Sequence, residues 1–215
     1  MSAEVRPDRR LGRDFFARPT LEVARDLLGR RLVRVHRARR LSGRIVEVEA
    51  YVGADDSACH GRSGVTARNR VLFGPAGVIY VYFSYGLHHL VNLVTEEEGF
   101  PAAVLIRALE PEEGIPAMVR HRCGTGRQRR PPANLNGPWV AGGPARLCQA
   151  LQVDLRLNGA DITAQEKIFI EKGVPVAPDA IQATPRVGID YAGPRDRKAL
   201  WRFVQRHHPC LSRRA

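Results

Sequence analysis

Lysine is almost missing from this chain. Of its 34 lysine and arginine residues only Lys167, Lys172 and Lys198 are lysines, so an amine nucleophile is scarce, and none lies in the polar first half. Cysteine is sparse too. Cys59, Cys123, Cys148 and Cys210 form no Cys-x-x-Cys pair, and neither they nor Cys59-His60, His88-His89 and His207-His208 have metal-site spacing. Reduced packing thiols are expected, and no metal site. Long apolar runs are lacking as well. The richest stretch, Val78–Val94, is broken by Tyr, Ser, Gly and His, short of the ~18 uninterrupted apolar residues that suggest a membrane span. The charged start, with Arg6, Asp8, Arg9 and Arg10, has no apolar signal-peptide core. These absences lead us to expect a soluble, intracellular protein without a membrane segment.

What is abundant is positive charge. The 215 residues carry a net charge of +12 and a pI near 10.5, which points to a polyanionic partner, nucleic acid ahead of a membrane surface. The arginine bias alone has a plainer source in genomic nucleotide composition. The rest is ordinary: 44% apolar and 26% charged residues describe a globular chain with one substantial core.

Thr20 is placed to cap a helix over Leu21–Leu28, stopped by Gly29. Strands are expected over Leu32–His36, Arg44–Val52, Val78–Ser84, Leu87–Thr95 and Ala103–Leu109, with strand-like pieces near Ile168 and at Trp201–Val204. Between them lie an irregular basic segment, His121–Gly143, and a helix from Pro144 through Leu151. Most strand connections are too short for parallel crossovers, so an antiparallel α+β domain fits best.

Two segments carry chemistry. In Arg44–Tyr51 apolar and polar residues alternate, so Val46, Val48 and Ala50 should share one face, and Glu47, Glu49 and Tyr51 the other, about 6–7 Å apart. That second face is either solvated and paired with arginines such as Arg44, or it lines a site. The acidic turn Asp55-Asp56, then His60 and Arg68-Asn69-Arg70, follows closely and suits a site for something polar and anionic. In Val78–Gly86 the residues Tyr80 and Tyr82 share a face, Tyr80 reading as sheet packing, while Tyr85 falls at a hairpin tip. An aromatic ring exposed on a tip is hard to explain by packing. It could wedge into a base stack. Asn92 and Arg107 are polar groups in apolar strands; Asn92 needs partners or a pocket, and Arg107 needs an anion, with Glu49 the obvious candidate.

Taken in order, Glu49-Ala50-Tyr51, His60, Arg68-Asn69-Arg70, Tyr80-Val81-Tyr82, Tyr85-Gly86, Asn92, Leu105–Pro111, Gly143–Leu151 and Arg186-Val187-Gly188 closely resemble the alkyladenine (3-methyladenine) DNA glycosylase family. The resemblance runs from about Phe15 to Val204, and the ordered set is far more specific than any one motif. It implies a monofunctional, metal-independent and cofactor-free enzyme. Such an enzyme would flip alkylated or deaminated purines out of double-stranded DNA and hydrolyse their N-glycosidic bonds, leaving an abasic site. By position, it implies that Glu49 activates the attacking water, with Arg107 holding that water and the Val187 carbonyl near it. It likewise makes Tyr51, His60, Tyr82 and Asn92 the base pocket, and Tyr85 the wedge. Glu47 is expected to be a structural ion-pair partner, because two acids on one strand face cannot flank one bond. A basic flexible arm over 1–13 and a single monomeric domain over 14–210 complete the expectation, its curved antiparallel sheet surrounded by helices and long connections. Phe83-Ser84, Leu87-His88-His89, Ala199, 63–67 and 121–143 depart from the family pattern. The rival readings are a non-catalytic module sensing distorted DNA, set against by Glu49 and Arg107, and a strand-cleaving lyase, set against by the scarcity of lysine.

Overall fold

A computed structural model describes residues 9–84, 86–124 and 130–214. In chain order these form α1 (Arg13–Phe16), α2 (Thr20–Leu27), β1 (Arg31–His36), β2 (Arg39–Val52), β3 (Ile79–Ser84), β4 (His88–Val94), β5 (Ala102–Glu113), α3 (Ile115–Cys123), α4 (Pro144–Leu151), β6 (Ile168–Glu171), β7 (Ile181–Thr184), α5 (Pro194–Lys198) and β8 (Arg202–Gln205). The fold is α+β. One sheet runs β3-β4-β5-β2-β1-β6, with β8 added to β2 and β7 to β8, and every pairing is antiparallel. The sheet curls into a half-barrel, with α2 and α4 packed against it and α3 against α4.

Strand β2 organises this arrangement. One edge pairs with β5 along nearly its whole length, while the other meets β1 over Arg39–Arg44 and β8 over Glu47–Glu49. A strand hydrogen-bonded on both edges and covered on both faces has no wet side. Glu47 and Glu49 are accordingly both fully buried, and Arg44 pairs instead with Glu110 and Glu112. The solvated-face reading is thereby excluded.

Simple alternation also fails at one position. Two register shifts flank Glu47, between Ile45 and Glu47 and between Glu47 and Val48. Bulges of this kind re-aim side chains. Ile45, Val48 and Ala50 join the main core, but Val46 packs in a separate cluster with Ala108, Val204, Cys210 and Leu211. Val46 therefore does not share the core of Val48 and Ala50.

Other element boundaries are set by partners remote in sequence. Thr20 is the first residue of α2 rather than its cap; its N–H donates to Glu96 Oε1 at 3.0 Å, and its hydroxyl bonds the same carboxylate. A carboxylate far along the chain thus satisfies the helix start. The helix ends at Leu27, one residue short of expectation, with Leu28 already extended and Gly29 turning the chain at φ +84°. Strand β5 extends past Leu109 to Glu113 because Glu110, Glu112 and Glu113 find arginines on β1 and β2: Arg44, Arg31 and Arg40. Gly114, at φ +74°, then turns the chain into α3. A side chain there would meet Leu41 Cδ2 at 2.5 Å. The helix covers His121–Cys123, the first three residues of the segment expected to be irregular.

At the start of the described chain, Leu11 N–H donates to Ile170 O and Lys172 N–H to Arg9 O, tying Arg9–Leu11 to β6. Cys59, Cys148 and Cys210 are buried and all four thiols are free. Among the described residues no helix is long and apolar enough to cross a membrane.

Candidate active site

Where β2, β3, β4 and β5 adjoin the 57–63 and 187–191 loops, they enclose a cavity of about 590 Å³. Aromatic rings make its wall. Tyr80 and Tyr82, two apart on β3, stack with centroids 5.5 Å apart, and the His60 imidazole meets Tyr82 edge-on at 4.5 Å. His60 Nδ1 lies 3.1 Å from the Tyr80 hydroxyl. Burial, reinforced by Arg68, pushes the His60 pKa down, favouring a neutral ring. Burial also raises the Tyr80 phenol to about 12 and the Tyr82 phenol further. Both stay protonated at neutral pH.

The loop bearing His60 is held by Asn69, whose Nδ2 donates to His60 O at 2.8 Å and Gly64 O at 2.9 Å. Within the motif Arg68-Asn69-Arg70, Asn69 is therefore a staple, while Arg68 lines the cavity with its guanidinium over the Tyr82 ring. Asn92, 5% exposed, lines the cavity beside Tyr80, whose carbonyl accepts from Asn92 Nδ2 at 3.2 Å.

Behind this wall sits Glu49. Its carboxylate accepts from the Tyr51 hydroxyl at 2.9 Å and from the Val187 N–H at 2.7 Å, and it pairs with Arg107 Nη1 at 3.2 Å. Tyr51, Val187 and Arg107 all line the cavity. The carboxylate thus lies one contact behind the surface, fixed by three donors. Desolvation, with Glu49 next in importance, drives the Tyr51 phenol well above its ordinary pKa and keeps it a donor.

Glu47 is the counterweight. Its Oε1 accepts from Arg107 Nε and Arg202 Nε, both at 2.8 Å. Burial alone would raise its pKa, but Arg107, Arg202 and Ser212 outweigh burial and hold it below the usual carboxylate range. Arg107 thus bridges both acids, Glu47 more closely than Glu49.

A second buried pair supports Val187. Arg186 bonds Asp56 at 2.5 and 2.8 Å and Ala50 O at 2.9 Å, with its guanidinium over the Tyr51 and Trp201 rings. The turn Asp55-Asp56 thereby acts through Asp56 as scaffolding. What the Val187 backbone offers Glu49 is its N–H.

Glu49, Tyr51, His60, Tyr82, Asn92, Arg107 and Val187 therefore surround one cavity. Tyr85 lies outside the described residues, as do Arg127, Gln128 and Arg129. Tyr80, taken from the sequence as sheet packing, lines the cavity, as do Ile189 and Tyr191. Tyr80 had a signal, its shared face with Tyr82; the other two sit in a loop without one. The α4 start also borders the cavity through Pro144.

Comparison with known proteins places the chain in a family. The family model described as methylpurine-DNA glycosylase matches residues 14–209. A protein of Methanocella arvoryzae is 50% identical over 95% of this chain and 96% of its own. One from Alkaliphilus oremlandii is 41% identical, covering 95% and 100%, and one from Prosthecochloris aestuarii is 42% identical, covering 95% and 91%. All three bear the provisional name 3-methyladenine DNA glycosylase. The family match and the relatives define the class, DNA glycosylases, the enzymes that hydrolyse N-glycosidic bonds in DNA repair. The chain belongs to the methylpurine-DNA glycosylase family.

Proposed function

We propose that this glycosylase extracts a damaged purine from duplex DNA into the aromatic cavity and hydrolyses its N-glycosidic bond with water activated by Glu49. The supporting observation is the carboxylate's setting: fully buried, held by Tyr51, Val187 and Arg107, and separated from the cavity only by those groups. A base stacked in duplex is out of reach of such a group, so the nucleotide must rotate out, at a cost of a few kcal/mol. Stacking on Tyr82 and Tyr51 offsets part of this, at about 1–3 kcal/mol per base–aromatic stack. From the resemblance, Tyr85 fills the vacated space.

Bond breaking develops positive charge on the sugar, which the Glu49 carboxylate stabilises while orienting water. Water would replace one of the present contacts to Glu49, with Arg107 and the Val187 backbone as its other partners. A purine alkylated on a ring nitrogen is already cationic, leaves without a general acid, and is attracted by electron-rich rings. No lysine is among the described residues that line the cavity, which supports a reaction that ends at the abasic site. Asn92 is the residue placed to discriminate among purines by hydrogen bonding. The partner is double-stranded DNA, engaged by a monomer.

The test is incubation with duplexes carrying 3-methyladenine, 7-methylguanine, hypoxanthine or ethenoadenine, followed by identification of released bases. Release of damaged purines with intact abasic strands supports the reading; binding without release of any base contradicts it.

A further inference from the structure

The segment after β8 reaches back into the catalytic network. His208 N–H donates to Gln205 O at 3.3 Å, and Leu211 N–H to His208 O at 3.4 Å, folding the chain over. Cys210 and Leu211 then bury against Val46, Ala108 and Val204. This packing sets Ser212 directly on Glu47. The Ser212 N–H donates to Glu47 Oε2 at 2.6 Å, and its hydroxyl donates to Glu47 Oε1 at 2.7 Å. The same hydroxyl oxygen accepts from Arg107 Nη2 at 3.1 Å. Next door, Arg213 O accepts from Arg202 Nη2 at 2.6 Å.

The geometry leaves the Arg107 guanidinium little freedom. Its Nε is on Glu47, its Nη2 on Ser212 and its Nη1 on Glu49. A planar fork held at two of its nitrogens has its third direction fixed. Glu47 by itself supplies one anchor, about which the guanidinium could pivot; the Ser212 hydroxyl supplies the second. Without it, Arg107 Nη2 would lose its partner, and rotation to find another would carry Nη1 off Glu49. The family match ends at residue 209, short of Ser212.

We infer that Ser212 is a positioning residue for base excision, fixing the plane of Arg107 so that Arg107 holds Glu49 in its working orientation. This rests on the proposed role of Glu49 and Arg107. It also assigns the 210–213 segment a part in the chemistry, though no atom of it need touch DNA.

The experiment compares Ser212→Ala, Ser212→Cys and Ser212→Thr with the wild type in single-turnover excision at saturating enzyme. Duplex affinity and thermal unfolding are followed alongside. Losing one hydrogen bond to a charged group should slow Ser212→Ala excision on the order of 10- to 100-fold, with duplex affinity nearly unchanged. Ser212→Thr, which keeps the hydroxyl, should restore the rate. Should Ser212→Ala not fold, the nearly isosteric Ser212→Cys takes its place, its weak donor giving a smaller loss in the same direction.

A residue acting through Glu49 should have no further effect in a Glu49→Gln background, whereas general loosening of the fold would slow both backgrounds alike. Ser212→Ala at the wild-type rate while Glu49→Gln is slowed at least about 100-fold would overturn the Ser212 assignment alone. An equal loss in both backgrounds would overturn it too. Glu49→Gln at the wild-type rate would overturn the underlying reading of Glu49, and the Ser212 role with it.

Discussion

Replacing Glu47 by Gln is the perturbation whose consequence can be worked furthest. Glu47 is fully buried, and its carboxylate accepts from Arg107, Arg202 and both the N–H and hydroxyl of Ser212. Gln keeps one oxygen but turns the other acceptor into an NH₂ facing the Ser212 N–H, donor against donor. Arg107 and Arg202, 8% and 3% exposed in their side chains, would also lose a counter-charge. Breaking a buried pair by removing one partner costs about 3–5 kcal/mol. With a urea m-value of about 3 kcal/mol/M for a chain this size, the unfolding midpoint should fall by roughly 1–1.7 M. The pH dependence carries the same signature. Because the folded-state pKa of Glu47 is depressed, its stabilisation is fully present above the unfolded value of about 4.3 and fades as pH falls through the folded one. Urea titrations followed by the fluorescence of Trp139 and Trp201, at pH 7 and stepwise towards pH 3, give both results. An unchanged midpoint at neutral pH, or a deficit that persists undiminished in acid, would refute the reasoning.

Asp56→Asn should be as severe, since Asp56 and Arg186 are a fully buried pair and breaking it costs about 3–5 kcal/mol; thermal unfolding measures the loss. Tyr51→Phe keeps the ring but removes the hydroxyl that donates to Glu49, so excision should slow by about ten-fold in single-turnover assays, with a smaller fall in the unfolding midpoint than for Glu47→Gln. Affinity for undamaged duplex should fall steeply with salt, as counterion release requires of a chain carrying net charge +12. A flat titration would leave the arginines to genomic composition.

Which parts of this molecule could be read from its residues follows from the range of the interactions. The β3–β4 hairpin is legible because its period-two pattern and turn are local, and it pairs in the register Ser84↔His88 through Ile79↔Leu93. The grouping of Glu47, Glu49 and Tyr51 was equally visible, but the fate of Val46 was not, because the bulges arise from pairing with a strand some sixty positions away. Thr20 fits a capping pattern, and only the remote Glu96 displaces it. Strand β7 contains the polar Gln182 and Thr184 and exists because β8 presents an edge to it. Within the site, Arg107 was marked by being a charge in an apolar strand. Ser212 had no mark at all, being one polar residue among arginines whose role depends on where Cys210 and Leu211 bury.

The central claim is that Glu49 activates water for bond cleavage. Glu49→Gln preserves shape and should still bind a lesion-containing duplex, so single-turnover excision from hypoxanthine or 3-methyladenine duplexes at saturating enzyme isolates the chemical step. The expected loss is at least the roughly 10²–10⁴-fold contribution of a positioned general base, with lesion affinity retained. A folded Glu49→Gln protein that excises at close to the wild-type rate would contradict the account.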